Sequence, residues 1–360
     1  MAALFFILLL HFFLGQLIEI FNSRKLAFVL WIFMMSVILY YTIGITYTAD
    51  YEMYEYYFDQ DSEKMDAAFI YLTGLFKEYK LSFHDLYIFH IVTSLLAYSY
   101  FISRFTKNVF YVLVIFLVLY YVPYVNQIRY YLGFPMFLLS IYFLLIRKKY
   151  LPFILFALLA FFCHSAIVIL YTFIPCFYFL STKKYLKTMV TSSLVGFVLM
   201  FVLFKMGLTE TLEHFGAYFD KSSTSSTLGG IFNALPYFVY IIYILKINKE
   251  YTQRTENYED DIIYTFLSKL TFFTIIFIPA SLFIQILGHR YVFPFIIVWV
   301  IFFLYTIRTL PIKRKTFKML EFLCIHILAF LIFYILPKYL FKESFYEVEF
   351  LKIIKYIKHT

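Results

Sequence analysis

The sequence predicts an all-α integral membrane protein that crosses the bilayer many times. Of its 360 residues, 63% are hydrophobic and only 15% are charged, and the mean hydropathy is +0.81. Soluble domains are roughly 45–50% apolar and about 25% charged, because a chain folded in water needs a polar surface. The composition therefore excludes a soluble enzyme, a disulfide-rich secreted domain, a disordered chain and a collagen-like fibre.

Apolar runs long enough to cross a membrane, which takes roughly 20 residues, recur along the whole chain. One apolar stretch, 151–181, is interrupted by Cys163, His164 and Ser165, which predicts a hairpin of two short helices. The first run lacks a basic segment and a cleavage site, so we expect a retained helix. The sequence thus predicts about twelve spans. The runs outside the hairpin are 2–20, 26–44, 84–103, 109–125, 130–146, 189–206, 230–246, 262–285, 291–309 and 319–336.

The distribution of Lys and Arg predicts how the spans are oriented. Eighteen of the 31 basic residues lie in alternate loops, against seven in the opposite loops and five in the C-terminal tail. Cytoplasmic loops are enriched in basic residues, so we expect the first set in the cytoplasm and both termini outside. Orientation also accounts for the net charge of +9 without a nucleic-acid partner. The basic loops contain residues 24–25, 104–107, 147–149, 183–187, 246–254 and 308–318.

The chain is predicted to be a single transmembrane domain, 1–360, with few segments outside the bilayer. In the first outer loop, residues 66–80 alternate at helical spacing, which predicts a helix lying on the membrane surface. Short cytoplasmic loops without a phosphate-binding glycine motif argue against a soluble nucleotide-binding domain. The larger segments are 45–83 and 207–229 on the outer face, 247–261 in the cytoplasm and the C-terminal tail 337–360.

Four polar groups near the ends of spans fall on the predicted outer face. Ionisable residues in membrane segments cost roughly 2.5–3.5 kcal/mol on insertion scales and tend to be functional. Four other polar residues are predicted to pair between helices or face the interface: Lys269, Gln285, Glu321 and His326. The candidate site residues are Asn126, Gln127 and Arg129; His289, Arg290 and Tyr291; His164 and Ser165; and Asp50, Tyr51 and Tyr54.

Arg129 and Arg290 both lie on the side of the membrane where cations are disfavoured. Two guanidinium groups at one membrane depth would form a clamp, because each binds phosphate oxygens in a bidentate manner. The alternative is that each arginine only anchors its helix at the interface.

His164 and Asp50 have the chemistry of proton-transfer groups. Because histidine side chains in general titrate near neutral pH, His164 would move a proton or bind a phosphate; the alternative is a packed core histidine. Asp50 would accept a proton from a sugar hydroxyl; the alternative is a solvated loop charge. The set has no cysteine or carboxylate cluster, so it indicates an oxyanion and leaving-group site rather than a metal centre. Because no ATP is available outside, the expected substrate is a lipid-linked phosphate.

With these motifs in view, the chain resembles the EpsG-like and Wzy group of bacterial polysaccharide polymerases. The resemblance extends over roughly residues 45–310 and rests on short motifs in the same order along the chain. They are Asp50-Tyr51-x-x-Tyr54, Ala68-Phe-Ile-Tyr71-Leu-Thr, Gln127-Ile-Arg129-Tyr-Tyr-Leu-Gly133, Phe162-Cys-His164-Ser165-Ala166 and Arg290-Tyr-Val-Phe-Pro294.

The resemblance implies a multi-pass enzyme of the bacterial inner membrane, similar to metal-independent C-type (GT-C) glycosyltransferases and without a cofactor. Such enzymes join undecaprenyl-diphosphate-linked oligosaccharide repeat units at the periplasmic face, as in O-antigen, capsule or exopolysaccharide synthesis. Arg129 and Arg290 would bind the donor diphosphate, His164 would support the diphosphate or the acceptor, and Asp50 would be the base. The expected partners are the lipid-linked oligosaccharide, the lipid bilayer and a chain-length regulator.

Two other functions fit the same composition. One is a flippase or transporter for lipid-linked oligosaccharide, although no half-to-half similarity is visible and the polar groups cluster at one face rather than at mid-depth. The other is a ligase or another transferase that modifies polysaccharide on similar lipid-linked substrates.

Overall fold

The structure is a computed structural model that describes residues 2–21, 23–48, 50–60, 65–206, 227–282 and 285–336. Within these residues all regular secondary structure is helical, and they include no strand. The predicted all-α class is therefore confirmed. The predicted tail 337–360 and most of the predicted loop 207–229 lie outside the described residues. The described residues form two compact units, one up to Thr172 and one from Phe173 onward.

The first unit contains eight α-helices followed by a 3-10 helix. In the predicted outer loop 45–83 the structure shows two helices, the second of which is the predicted helix within 66–80. The helices are α1 (Ala2–Phe21), α2 (Arg24–Ile43), α3 (Tyr51–Asp59), α4 (Ala67–Glu78), α5 (Phe83–Ser103), α6 (Val109–Asn126), α7 (Ile128–Leu145) and α8 (Tyr150–Cys163), and the 3-10 helix is Ser165–Thr172.

Among its described residues, the second unit contains seven α-helices, several short 3-10 segments and a π-helical segment, Leu331–Ile335. The helices are α9 (Phe173–Phe179), α10 (Thr182–Lys205), α11 (Thr227–Arg254), α12 (Ile262–Phe273), α13 (Gln285–Tyr291), α14 (Ile296–Ile307) and α15 (Ile312–Phe330).

Six helices of the described residues are long and apolar enough to cross a membrane. Shorter apolar helices add to them, including Tyr150–Cys163 and Ser165–Phe179. The chain is thus a helical, multi-pass membrane protein, while the number of about twelve spans and the C-type arrangement stay predictions. The six helices are Arg24–Ile43, Phe83–Ser103, Val109–Asn126, Ile128–Leu145, Gly230–Arg254 and Ile312–Phe333.

Several predicted boundaries differ from the structure: α10 begins at Thr182 rather than at 189, and α15 at Ile312 rather than at 319. The apolar run 262–285 predicts one helix, but α12 ends at Phe273 and 3-10 segments follow, with Pro279 opening one of them. Proline has no backbone N–H and interrupts an α-helix. The predicted cytoplasmic loop 247–261 is helical up to Arg254, because its Lys, Glu, Gln and Arg residues are good helix formers.

Helix α7 is the core of the first unit. Over an 18-residue stretch of each helix, 83% of the residues are buried in α7 and 22% in α2. Helix α7 is therefore enclosed by protein, and α2 lies at the edge of the unit. Gly133 of α7 makes this packing possible: a Cβ there would lie 2.5 Å from Ile167 Cδ1 and 3.1 Å from the Ala160 carbonyl oxygen.

The predicted hairpin is visible in the contacts of α8 and the 3-10 helix with α7. The Phe156 ring stacks on Phe143 near the far end of α7, whereas Ala160 reaches Gly133 near its start. After His164 the chain turns back, and the Tyr171 hydroxyl lies 2.9 Å from Ser140 Oγ. The two limbs are therefore antiparallel, with His164 at the bend.

Basic residues of two loops that are predicted to be cytoplasmic lie together at one end of the first unit. Arg24, Arg104 and Lys107 line one cleft at one end. At the other end Asp66 pairs with Arg129. The structure thus separates these basic loops from the outer-loop residues, in agreement with the alternation read from the sequence, and which compartment each end faces stays a prediction.

Three polar residues of the second unit pair between helices as predicted. Lys269 Nζ donates to the carbonyl oxygens of Phe177 at 2.9 Å and Leu180 at 2.6 Å. The His326 ring pairs with the Tyr240 hydroxyl, and Glu321 accepts from Lys246 at 3.0 Å. Polar groups in membrane-embedded helices are satisfied within the protein because lipid offers them no hydrogen bonds.

Candidate functional site

Arg129 lies in the first turn of α7, just after the short break at Gln127 that separates α6 from α7. Its guanidinium Nη1 donates to Asp66 Oδ2, and the two side chains are only 15% and 16% exposed. The guanidinium carbon also lies 5.1 Å from the centre of the Tyr54 ring, a cation–π contact. Arg129 is therefore held in place by one acidic and one aromatic side chain.

Asp66 links two parts of the first unit. It precedes α4 in an extended conformation and makes no cap hydrogen bond to that helix, so its carboxylate reaches other partners. Oδ2 accepts from Arg129, and Oδ1 accepts the backbone N–H of Ser165 at 3.2 Å. A single carboxylate thus fixes the start of α7 against the bend of the hairpin.

His164 occupies this bend with an extended backbone, φ −162° and ψ 111°. Its Nδ1 accepts the backbone N–H of Ala166 at 3.3 Å. A neutral imidazole that accepts at Nδ1 carries its proton on Nε2. The ring also meets the Tyr130 ring edge-on, with 5.3 Å between the centres. His164 is therefore placed beside the first turn of α7, one residue before Ser165, whose N–H binds Asp66.

The Asn126 side chain is hydrogen-bonded to the backbone of Asp50. Asn126 Oδ1 accepts the Asp50 N–H at 2.8 Å, which places the start of α3 beside the end of α6. The contact assigns the Asn126 amide a positioning role in the folded chain. It also brings the Asp50 segment to the same end of the unit as Arg129.

Tyr51 and Tyr54, predicted as substrate-binding residues, are both buried, at 4% exposure. The Tyr51 hydroxyl lies 3.1 Å from His84 Nδ1, and its ring packs edge-on against Tyr87. Burial, with the Glu55 carboxylate nearby, raises the pKa of Tyr51 well above its ordinary value. Tyr51 therefore stays a neutral phenol. Tyr54 contributes the ring of the cation–π contact with Arg129.

Two buried polar atoms at the start of α7 have no hydrogen-bond partner among the described residues, Arg129 Nε and Gln127 Oε1. An unsatisfied buried polar atom costs roughly 1–3 kcal/mol, so a native structure seldom keeps one without a reason. Here one atom is a donor and the other an acceptor. The pair suits a ligand that carries both acceptor oxygens and hydroxyl donors.

Arg290 and Tyr291 belong to the short helix α13 of the second unit. The Tyr291 ring stacks on Phe277 with 5.1 Å between the centres. Gly288 allows close packing, because a Cβ there would lie 2.8 Å from the Tyr237 hydroxyl. The side chain of His289 lies outside the described residues. The convergence of Arg290 with Arg129 stays a prediction.

Asp66 is the residue that sequence reasoning missed. In the sequence it is one of several acids in the outer loop, and apart from its position no local pattern distinguishes it from the others. Its position directly before Ala67, at the start of a predicted helix and beside the Ala68–Tyr71 motif, was the available signal. Among the residues that the structure describes, no group of three or more His, Cys, Asp or Glu side chains is placed to hold a metal ion.

Comparison with known proteins identifies the family. A model of the EpsG family matches residues 29–350, a range that includes both arginines, His164 and Asp66. No curated protein and no solved structure matches the chain. Since the match extends over most of the sequence, it confirms the resemblance seen in the short motifs. The chain belongs to the EpsG family.

Proposed function

We propose that this protein polymerises undecaprenyl-diphosphate-linked oligosaccharide repeat units at the periplasmic face of the inner membrane. Membership of the EpsG family supports a polysaccharide polymerase of the membrane. The observation that carries the proposal is Arg129, which is held by Asp66 and Tyr54 at the start of a buried helix with its Nε unpartnered among the described residues.

The start of α7 favours an anion for two reasons. The first turn of a helix carries backbone N–H groups without intrahelical partners and the positive end of the helix dipole. Arg129 adds a full positive charge with a fork of donors that matches phosphate oxygens. A diphosphate bound there would accept from Nε and from the helix terminus, and Arg290 is proposed as the second cation.

The proposed reaction is a glycosyl transfer. The acceptor hydroxyl oxygen attacks the anomeric carbon of the lipid-linked glycan, and the bond from that carbon to the diphosphate oxygen breaks. The lipid diphosphate leaves with the bonding electron pair, and the hydroxyl proton passes to a carboxylate. Arg129 stabilises the charge that develops on the leaving group, which is the dominant catalytic contribution in reactions of this kind.

The base is proposed to be Asp50, with His164 supporting the diphosphate or the acceptor. Asp66 already accepts from Arg129 and Ser165, so we assign it a positioning role: it orients the guanidinium. Gln127 Oε1, buried and without a partner among the described residues, is proposed to accept a sugar hydroxyl.

Asp66→Asn is expected to lower the polymerisation rate by roughly 10–100-fold, the worth of a charge-assisted hydrogen bond of about 1.5–3 kcal/mol. The amide oxygen still accepts from Ser165, but the charge opposite Arg129 is lost. Asp66→Glu should recover part of the rate. The measurement is the rate of chain growth on purified lipid-linked units at several substrate concentrations and pH values.

A positioning role predicts that Asp66→Asn keeps the pH profile of the wild type, whereas loss of the base would remove the acidic limb. Glu52→Gln, an exposed acid in α3, is the matched control and should retain full activity. An Asp66→Asn enzyme with wild-type rates would show that Arg129 does not depend on this contact.

Loss of the gene distinguishes the proposed polymerase from a flippase. A strain without a polymerase still displays single repeat units outside, because the lipid-linked unit is still delivered there. A strain without a flippase keeps the unit on the cytoplasmic leaflet. Deletion followed by gel analysis of surface glycan and of lipid-linked units should show single units outside and no ladder, and units retained inside would refute the proposal.

A further inference from the structure

A groove at the edge of the first unit takes no part in the proposed reaction, and its wide section lies at the end opposite Arg129. It runs between α2 and α5 and has two sections that share Trp31 and Leu96. The wider section encloses about 680 Å³ and the narrower one about 230 Å³. The two sections differ in chemistry.

The wide section contains the cations of the groove, set among aromatic and apolar residues. Arg24, Arg104 and Lys107 line it together with the hydroxyl residues Ser99 and Ser103. Arg104 is held at the rim, because its guanidinium carbon lies 4.2 Å from the centre of the Tyr100 ring and its Nη2 donates to Ser103 Oγ at 3.3 Å. Cations and hydroxyl groups around one cleft are the donors that a phosphate group needs.

The narrow section is apolar. Ile32, Leu39 and Leu96 line it with other aliphatic residues, and Ser36 and Thr42 are its hydroxyl residues. Ile32 is 45% and Leu96 47% exposed. From Trp31 to Thr42 the section follows α2 for roughly 16 Å, about half of the hydrocarbon thickness of a bilayer. Its length therefore matches the acyl chains of one leaflet.

Trp31 lies where the two sections meet. Its Nε1 donates to Ser99 Oγ at 2.8 Å, which ties α2 to α5 at the boundary between polar and apolar lining. Tryptophan prefers this level of the membrane because its ring is apolar and its N–H is polar. The order along α2 is thus a basic cleft, an interfacial tryptophan and an apolar channel.

We infer that this groove binds an anionic phospholipid of the cytoplasmic leaflet, with the phosphate among Arg24, Arg104 and Lys107 and an acyl chain along the narrow section. Charge complementarity selects the anionic head group, and the basic loops at this end are those expected in the cytoplasm. The assignment is independent of the proposed function, and its test measures no polymerisation.

Trp31 supplies a direct probe. The chain has two tryptophans, and Trp299 is fully buried, so quenching by brominated acyl chains reports mainly on Trp31. The full chain is reconstituted in phosphatidylcholine nanodiscs that contain equal mole fractions of brominated phosphatidylglycerol or brominated phosphatidylcholine. We expect phosphatidylglycerol to be preferred by roughly 5-fold for each cation engaged.

Arg24→Gln and Arg104→Gln should each reduce this preference by about 5-fold. Lys184→Gln, which removes an exposed cation of another basic loop, should leave it unchanged. Circular dichroism checks that the variants remain folded. In the wild type, added salt should weaken quenching by phosphatidylglycerol and not by phosphatidylcholine.

Equal quenching by the two lipids would overturn the inference, as would a preference that survives both substitutions and high salt. Unbrominated phosphatidylglycerol should restore the fluorescence. If undecaprenyl phosphate restores it at a lower mole fraction, the groove belongs to the lipid carrier and the assignment to a phospholipid is wrong.

Discussion

Arg129→Ala is expected to abolish long glycan chains while single repeat units still reach the surface. Removing one donor to a developing oxyanion costs roughly 10²–10³-fold in rate, and the substitution also leaves the Asp66 carboxylate, only 16% exposed, without its cation. Both effects act on the same site. The measurement is the ladder of surface glycan on a gel, normalised to the amount of protein in the membrane.

Three further variants distinguish a loss of catalysis at Arg129 from a loss of folded protein. Arg129→Lys keeps the charge but not the fork of donors, so it should restore protein levels and only a small part of the activity. The double variant Arg129→Asp, Asp66→Arg rebuilds an ion pair with the charges reversed and should remain inactive. Arg147→Ala removes an exposed arginine beyond the far end of the same helix and should give a normal ladder. Long chains from Arg129→Ala would end the assignment of this residue.

Gly133→Leu is expected to stop polymerisation through packing alone. A Cβ at this position would lie 2.5 Å from Ile167 Cδ1 and 3.1 Å from Cys163 Cβ, so a larger side chain must push the hairpin away from α7. Overpacking of this kind costs about 1–3 kcal/mol, and a shift of about 1 Å at a catalytic group can cost 10²-fold in rate. His164 and Ser165 lie at the bend that would move.

The effect of substituting Gly133 should grow with the size of the side chain that is introduced. Gly133→Ala meets mainly the flexible end of Ile167 and should lower the melting temperature and activity less than Gly133→Leu. Gly196→Leu in α10 is the control, because apart from its own stretch of helix no described atom lies within 4 Å of the position where its Cβ would be. Thermal unfolding in detergent and the glycan ladder measure the two consequences, and a stable, active Gly133→Leu protein would show that the hairpin tolerates displacement.

The helical, multi-pass class followed from composition, and most helices lie close to the predicted runs. Helix α7 was expected at 130–146 and occupies Ile128–Leu145, because a long apolar stretch must be helical in lipid. The break at His164 was also foreseen, since polar residues interrupted a stretch too long for one span. Hydropathy could not place the breaks after Phe273, where the residues remain apolar and proline and packing decide the local geometry.

The sequence could predict only part of the candidate site. Arg129 stood out because it was a cation on the side where cations are disfavoured, and His164 because it interrupted an apolar stretch. Asp66 could not be separated from neighbouring acids, since only the fold brings it to Arg129 and Ser165. The hydrogen bond from the Asp50 N–H to the Asn126 side chain likewise joins residues 76 positions apart, which no local pattern encodes.

The ion pair of Asp66 and Arg129 makes this region electrically neutral before any ligand arrives. A bare guanidinium in a half-enclosed site would collect chloride or inorganic phosphate from solution. Here a small anion must compete with a carboxylate that is already tethered and already bound at both oxygens. A diphosphate joined to sugars and to a lipid tail can instead bind at Nε and at the start of α7 while the ion pair stays intact, so we expect the pair to favour this ligand over small ions.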